Sequence, residues 1–278
     1  MEELADGRNY NPQPCHKPLP PYEEAEWDRL ITVCRTLVEE SYTAHRRALV
    51  AASRGRHPAE AGWTEENFCW LLSRTGPIGT PAFARVIGVT FRGFDHRGGF
   101  SGFNASVQGV FPHLDVALAY QLLFGIYSGI VPDGIDELGV GDIDWAGDAS
   151  ILLSYIKGRT AAESLNLPRR AVRLLEQWLA HSALLRSFMP PEDRERLWLC
   201  LARPGNATLA SPKPTSSSSR KRWAQRHGIV GADGRPLKIH RARIRTTHHA
   251  MRDKRFWGAV DGPQSTRITV QLLRATTT

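Results

Sequence analysis

The segment ILLSYIKGRT, Ile151 to Thr160, brings a lysine to the end of a run of strand-forming residues. Lys157 is followed at once by Gly158, which permits a tight turn, and by Arg159. A lysine in this place has two ordinary uses. It can discourage edge-to-edge aggregation of the strand, or it can carry a point charge to a phosphate group. The segment predicts a β-hairpin with a cation at its tip and leaves both uses open.

A second group of candidate residues lies in IHRARIRTTHHA, within a segment whose spacing predicts a helix from about His240. His240 and Arg243 stand three residues apart, and Arg245 follows two residues later. Arginine binds phosphate oxygens as a fork, and histidine can exchange a proton near neutral pH. His248 and His249 lie nearby, but no cysteine or convincing carboxylate accompanies them, so no metal site is predicted.

Positive charge is concentrated in the C-terminal third of the chain. The formal net charge is +8, yet residues 220–255 contain twelve lysines and arginines against two aspartates. That window carries +10, so the remainder of the chain is slightly acidic. Such a block is typical of a protein that binds a polyanion, nucleic acid above all. A solvated surface that attracts RNA, or a disordered basic tail, would give the same composition.

The composition is that of a globular protein, with 278 residues and a hydrophobic share of 41%. No apolar run approaches the roughly 20 residues that span a bilayer, and the N-terminus lacks the pattern of a signal peptide. The four cysteines are scattered without a CxxC pair, so neither a zinc site nor a disulfide framework is expected. We expect an intracellular, cytoplasmic protein with reduced thiols.

Hydrophobic periodicity in the first half predicts helices that must support these candidates. Residues 1–21 form a flexible lead-in, and a long helix after them ends at Arg54. A second helix begins near Thr64 and stops before Gly76. The segment from Thr80 to Gly109 is glycine-rich without a clear period and predicts mainly loop.

The second half predicts a helix at DVALAYQLLFGIYSG, a short helix at PDGIDEL and a strand, ILLSYI, that pairs antiparallel with ESLNLP. An amphipathic helix, RRAVRLLEQWLAHSALLR, and a short buried strand, LWLCL, follow. Residues 203–219 are of low complexity and predict a mobile loop before the helix KRWAQRHG. We expect one domain over residues 22–258, with 259–278 as an atypical C-terminal tail because the composition changes after Trp257.

The order of these pieces resembles the catalytic domain of the tyrosine recombinases, the phage-type integrases. SGIVPDGIDELGVGDIDW is similar to the family's first signature in length and hydrophobic skeleton. ILLSYIKGRT, ESLNLP and RRAVRLLEQWL follow its strand–lysine–strand–helix order, and IHRARIRTTHHA contains its His-x-x-Arg signature. The resemblance covers roughly residues 21–255. It implies an α+β, mainly helical fold with a small antiparallel hairpin or sheet.

The resemblance also implies a chemistry, in which a tyrosine attacks a DNA phosphodiester while two arginines bind the nonbridging oxygens of the transition state. Lys157 stands where the family's hairpin lysine protonates the leaving 5′ oxygen. The second arginine is Arg243 if the pairing with His240 is kept, or Arg245 if the hydrophobic register is kept, which we prefer. The family needs no metal and no nucleotide cofactor, and its protomers assemble on double-stranded DNA.

Other basic residues around these positions are expected to contact the DNA backbone: Arg159, Arg220, Lys221, Arg222, Arg226, Lys238 and Arg241. The chain departs from the family in three places. Val131 stands where the first arginine is expected, and Gly134 where its supporting glutamate is expected. The last tyrosine is Tyr155, so the nucleophile that should follow the second arginine is missing.

These departures predict a DNA-binding protein of the recombinase fold that does not cleave DNA alone. Two alternatives stay open at this point. One is an active site-specific recombinase with an altered set of catalytic residues. The other is a basic helical module that binds an acidic protein or RNA.

Overall fold

The structure of the protein, a computed structural model, describes residues 19–96, 99–130, 132–136, 138–145, 151–156, 162–203, 207–210 and 217–260. The helices of the first half are α1 (Glu24–Arg54), α2 (Pro58–Ala61), α3 (Glu65–Thr75), α4 (Thr80–Val86), α5 (Phe91–His96) and α6 (Gly99–Val110). Those of the second half are α7 (Leu114–Ser128), α8 (Pro132–Asp136), α9 (Arg169–Ser187), α10 (Pro191–Arg194), α11 (Ser217–Arg226) and α12 (Arg241–Val260), with a 3-10 turn at Val140–Asp142. The strands are β1 (Ile143–Trp145), β2 (Ile151–Ile156), β3 (Ala162–Asn166), β4 (Cys200–Leu201) and β5 (Leu209–Ala210). The described chain is therefore mainly helical, as predicted.

Both helices predicted in the N-terminal region are present, and both end where expected. Gly55 terminates α1, and a Cβ at this position would lie 2.1 Å from the carbonyl oxygen of Glu66 in α3. The chain can turn this close to α3 only at a glycine. The α3 helix begins after Thr64, whose hydroxyl accepts a hydrogen bond from the Asn67 backbone N–H at 3.3 Å. The end signals read from the sequence are confirmed.

The loop predicted over residues 80–109 is wrong. The segment forms α4, α5 and α6, and Phe83 of α4 packs on Phe103 of α6 with ring centroids 4.1 Å apart. A Cβ at Gly109 would lie 3.1 Å from the Cβ of Ala48 in α1. Glycine at this position allows α6 to approach α1 closely, so it serves helix packing where the sequence suggested a break.

The predicted hairpin is confirmed in its strand pairing. β2 lies between β1 and β3 in an antiparallel sheet, and Ile156 pairs with Ala162 at the end of the β2–β3 ladder. Lys157 and Arg159 come between these two residues in the sequence but lie outside the described residues, as does Val131. Their predicted roles stay predictions.

The segment predicted as a mobile loop contains regular structure. Within residues 203–219, Leu209 pairs with Leu201 and Ala210 with Cys200, which joins β5 to β4. The first turn of α11 also falls inside this range. The low complexity of the sequence hid a two-residue strand because so short a strand depends on its partner and not on its own period.

Two apolar clusters form the core, and α1 contributes to both. The first lies around α7, α9 and the N-terminal half of α1, with Trp178, Trp198 and Trp223 fully buried. The second lies around α3 to α6 and the C-terminal half of α1, with Phe83 and Phe103 fully buried. The long helix α1 thus ties the helices of the first half to the helices that carry the candidate residues.

A buried histidine pair lies where the two clusters meet. The rings of His45 in α1 and His181 in α9 have centroids 4.7 Å apart. Nδ1 of His45 lies 3.1 Å from the carbonyl oxygen of Val110, and Nδ1 of His181 lies 3.4 Å from the hydroxyl of Tyr120. Nε2 of His181 is buried without a partner among the described residues. Burial, followed by the proximity of His45 and His113, lowers the pKa of His181 to about 3.

We expect the protein to lose stability as the pH falls below 6.5, the ordinary pKa of histidine. Below that pH the unfolded chain binds a proton at His181 and the folded chain does not, so acid favours unfolding. The free energy of unfolding should fall by up to about 1.4 kcal/mol per pH unit until the pKa of the folded state is reached. Urea unfolding at a series of pH values measures this slope.

His181→Asn should flatten that slope, because an amide is not protonated in this range and can still accept from the Tyr120 hydroxyl. His240→Asn is the matched control, since His240 is exposed. If the wild-type protein and both variants show the same pH dependence of the free energy of unfolding, protonation of His181 is not the source of that dependence.

Candidate nucleic-acid interface

The C-terminal basic segment folds as two helices joined by a tight connection. Between α11 and α12 the chain reverses, and Val230 forms an antiparallel bridge with Pro236. The segment is attached to the core through apolar residues that are almost fully buried: Trp223, Ala224, Ile229, Leu237, Ile239 and Ile244. This apolar side fixes which basic residues face the solvent and which face the protein.

Arg241, at the start of α12, points into the protein. Its guanidinium forms a two-pronged ion pair with Asp136 of α8, and one nitrogen also donates to Oε1 of Gln121 in α7 at 3.1 Å. The side chains of Arg241 and Asp136 are only 10% and 9% exposed. Arg241 was predicted to contact DNA, but this pair leaves its guanidinium little surface for a ligand and makes it an anchor of α12.

Arg226, at the end of α11, is also engaged by the core, although it remains 59% exposed. Its guanidinium donates to the Asp115 carboxylate of α7 at 2.7 Å. One turn earlier, the indole N–H of Trp223 donates to the Asp115 backbone carbonyl at 3.2 Å. These two contacts fix α11 against the N-terminal end of α7.

Arg243 is held by the segment that precedes α1. Its guanidinium lies 3.9 Å from the ring centroid of Tyr22 and donates to the backbone carbonyls of Pro20 and Pro21, at 2.9 and 3.2 Å. The carboxylate of Glu26 lies 3.7 Å from the same guanidinium. A cation stacked on an aromatic ring and hydrogen-bonded to carbonyls is restricted in position, so Arg243 fastens the lead-in to α12.

Tyr22 completes this attachment, and we call its contacts with residues 238–247, at the start of α12 and just before it, the N-terminal clamp. The Tyr22 backbone N–H donates to the Thr247 hydroxyl at 2.8 Å. The Tyr22 hydroxyl accepts from the His240 backbone N–H at 2.7 Å and donates to the Lys238 carbonyl at 3.1 Å. Burial raises the pKa of the Tyr22 hydroxyl, so it stays protonated. Its role in the structure is therefore to hold the chain in place.

Arg245 and the His240 imidazole differ from these anchored groups. His240 is exposed, and the Arg245 side chain is partly exposed. Neither side chain has a hydrogen bond or ion pair to any residue that the structure describes. Arg245 stands four residues after Arg241, so it shares a helix face with it, about 6 Å further along α12.

Four exposed cations on α11 and the connection make no ion pair with any residue that the structure describes: Lys221, Arg222, Arg235 and Lys238. We call these four residues the basic surface. Lys221, Arg235 and Lys238 line one open groove of about 490 Å³, which Arg243 also borders. The carboxylates that line this groove are Glu26 and Asp233. Each accepts a backbone hydrogen bond, Glu26 from Ala232 and Asp233 from Arg235, so both carboxylates are held in position within the protein.

The structure thus sorts the residues predicted as candidates. Arg226, Arg241 and Arg243 bind carboxylates of the core, and Arg220 is partly buried and donates to the Ile239 carbonyl at 3.0 Å. The side chains of Lys221, Arg222 and Lys238 are exposed. Sequence reasoning missed Arg235 as a groove residue, and it missed Tyr22, Asp115 and Asp136 as partners. The one signal in the sequence for the pairings with Arg226 and Arg241 was that Asp115 and Asp136 each stand among apolar residues of a predicted helix.

A scan against protein-family models finds no match to the chain, and a search of curated proteins finds no significantly similar sequence. Among the described residues, no helix is long and apolar enough to cross a bilayer. In the same part of the chain, no group of three or more His, Cys, Asp or Glu residues is arranged to hold a metal ion.

Arg243→Ala should destabilise the protein by about 1–3 kcal/mol, because it removes the contact with the Tyr22 ring and the hydrogen bonds to the lead-in. Arg245→Ala is the matched control on the same helix and should change the free energy of unfolding by less than about 0.5 kcal/mol. Urea unfolding at neutral pH measures both. Equal losses in the two variants would show that the clamp does not hold α12.

Proposed function

We propose that this chain is a DNA-binding protein built like the catalytic domain of a tyrosine recombinase, and that it does not cleave DNA alone. In this proposal the basic surface contacts the phosphate backbone of a duplex. A cytoplasmic setting fits such a partner. The observation that carries the proposal is the separation of the arginines held by the core from the four cations of the basic surface.

The charge balance of the basic surface supports a polyanionic ligand. The four cations of the basic surface stand against two carboxylates that line the groove, Asp233 and Glu26, and Glu26 also faces the guanidinium of Arg243 at 3.7 Å. Lysine and arginine side chains in this arrangement can each displace a counterion from a phosphate. Phosphate contacts of this kind give affinity without sequence choice, so DNA binding by the basic surface alone should be largely independent of sequence.

The geometry of α12 favours Arg245 over Arg243 as the arginine that meets a phosphate. Arg243 is held by Tyr22, Glu26 and two backbone carbonyls, and releasing it would break the N-terminal clamp. Arg245 has no such partner among the described residues. Arg245 is also the arginine favoured by the hydrophobic register of the His-x-x-Arg signature. His240 then lies next to the N-terminal clamp with its side chain exposed.

The surroundings of the tyrosines support the proposal that the chain does not cleave DNA alone. Tyr22 contacts α12 and the residues just before it, and it is buried with its hydroxyl hydrogen-bonded on both sides. Tyr120 is fully buried beside His181, and burial raises its pKa far above the ordinary value. No tyrosine follows Tyr155 in the sequence. A covalent adduct between the protein and DNA would revise the proposal towards an active recombinase with an altered site.

Binding of a fluorescein-labelled DNA duplex at several salt concentrations tests the proposal. We expect the logarithm of the association constant to fall linearly with the logarithm of the salt concentration, by about 0.9 for each phosphate contacted. Lys221→Ala/Arg222→Ala should weaken binding and reduce the slope by about 2, because two contacts are lost. Fluorescence anisotropy measures both quantities.

The matched control is Arg46→Ala/Arg47→Ala, which removes two adjacent exposed cations from the middle of α1. It should leave the affinity and the slope unchanged. If both double variants weaken binding equally, the attraction comes from net charge alone and the basic surface is not the binding site.

A further inference from the structure

A second cationic groove lies between α1, α7 and α9. It has a volume of about 370 Å³, and its charged lining is Arg35 of α1 with Arg170 and Arg173 of α9, opposed by Glu39. Arg170 and Arg173 are exposed and make no ion pair with any described residue. Arg35 lies 3.7 Å from Glu39, but both side chains are well solvated, so this pair is weak and exchangeable. We call this recess the arginine groove.

Tyr127 of α7 adds a hydrogen-bond donor to the arginine groove. Its ring is partly buried, and its hydroxyl has no hydrogen bond to any described residue. Tyr127, Arg35 and Arg170 line the same groove. Burial raises the pKa of Tyr127, while the charges of Arg35 and Arg170 act in the opposite direction. A groove lined by a hydroxyl and several guanidinium groups is a favourable place for a carboxylate.

An apolar pocket of about 250 Å³ continues from the arginine groove towards α12. Tyr127 and Arg170 line both recesses, so the two are adjacent. The apolar lining of the pocket consists of Trp27, Ile31, Ile126, Pro168 and Met251. Arg252 and His248 also border it, and Nδ1 of His248 lies 2.8 Å from the Ile126 carbonyl oxygen. The pocket therefore offers an apolar surface directly beside three cationic side chains of the groove.

We propose that the arginine groove and its apolar pocket bind an acidic peptide segment of a partner protein, with carboxylates on the arginines and one large apolar side chain in the pocket. Arginine forks match carboxylates in geometry, and an apolar anchor beside them supplies affinity that charge alone does not. A DNA backbone carries no apolar group for this pocket, and a rigid duplex can lie across the recess but cannot enter it. The proposal does not depend on DNA binding by the basic surface.

The test uses the full chain and a fluorescein-labelled peptide of sequence DELFDE. Two control peptides separate the contributions: DESSDE keeps the charges without the apolar side chains, and NQLFNQ keeps the apolar side chains without the charges. We expect DELFDE to bind at least about tenfold more tightly than either control in fluorescence anisotropy. If DELFDE and DESSDE bind equally, the attraction is charge alone and the proposal is overturned.

Two double variants test whether the peptide binds in the arginine groove. Arg170→Glu/Arg173→Glu should weaken DELFDE binding at least about tenfold, and Arg46→Glu/Arg47→Glu, with the same charge change elsewhere on the surface, should not. Circular dichroism on both variants verifies folding, since all four residues are exposed. Retained peptide binding in Arg170→Glu/Arg173→Glu would overturn the proposal. So would a loss of duplex affinity as large as that of Lys221→Ala/Arg222→Ala, because the groove would then belong to a nucleic-acid surface.

Discussion

Like charges in the C-terminal segment repel one another, so α11 and α12 can pack on the protein only where the core supplies negative groups. Three carboxylates from distant parts of the chain do this, with Asp115 on Arg226, Asp136 on Arg241 and Glu26 on Arg243. The Arg241–Asp136 pair is the most buried of the three. Removing one partner of such a pair typically costs about 3–5 kcal/mol, although the pair adds little net stability. The pair therefore fixes the position of α12 more than it stabilises the fold.

The same constraint separates the cations by role. Arginines that meet a carboxylate or a backbone carbonyl of the core are held in place, and the four cations of the basic surface are directed to solvent by the buried apolar side of the segment. Tyr22 takes part in this arrangement because its ring and hydroxyl join the lead-in to α12. The Tyr22 hydroxyl is thus engaged in holding the backbone of Lys238 and His240.

The sequence predicted much of the fold where end signals and periodicity are local. Thr64 and Gly55 mark helix ends through contacts a few residues away, and the β2–β3 hairpin is set by neighbouring strands. The prediction from the sequence was wrong over residues 80–109. Glycines there permit close helix packing, and only the partner helix distinguishes a packing glycine from one that ends a helix. For the candidate site, the sequence located the basic helices but not their counter-ions. Asp136 is 105 residues from Arg241, and no short-range pattern encodes that pairing.

The most direct test of the proposal that the basic surface faces DNA is acetylation of lysines in the full chain, with and without a saturating DNA duplex. Mass spectrometry then measures the modification at Lys221 and Lys238. Both lysines are exposed in the free protein. We expect both to lose reactivity severalfold when the duplex is present at low salt, and to regain it at high salt as phosphate contacts are screened. Unchanged reactivity of both lysines while the duplex is bound would contradict the assignment of the basic surface to DNA.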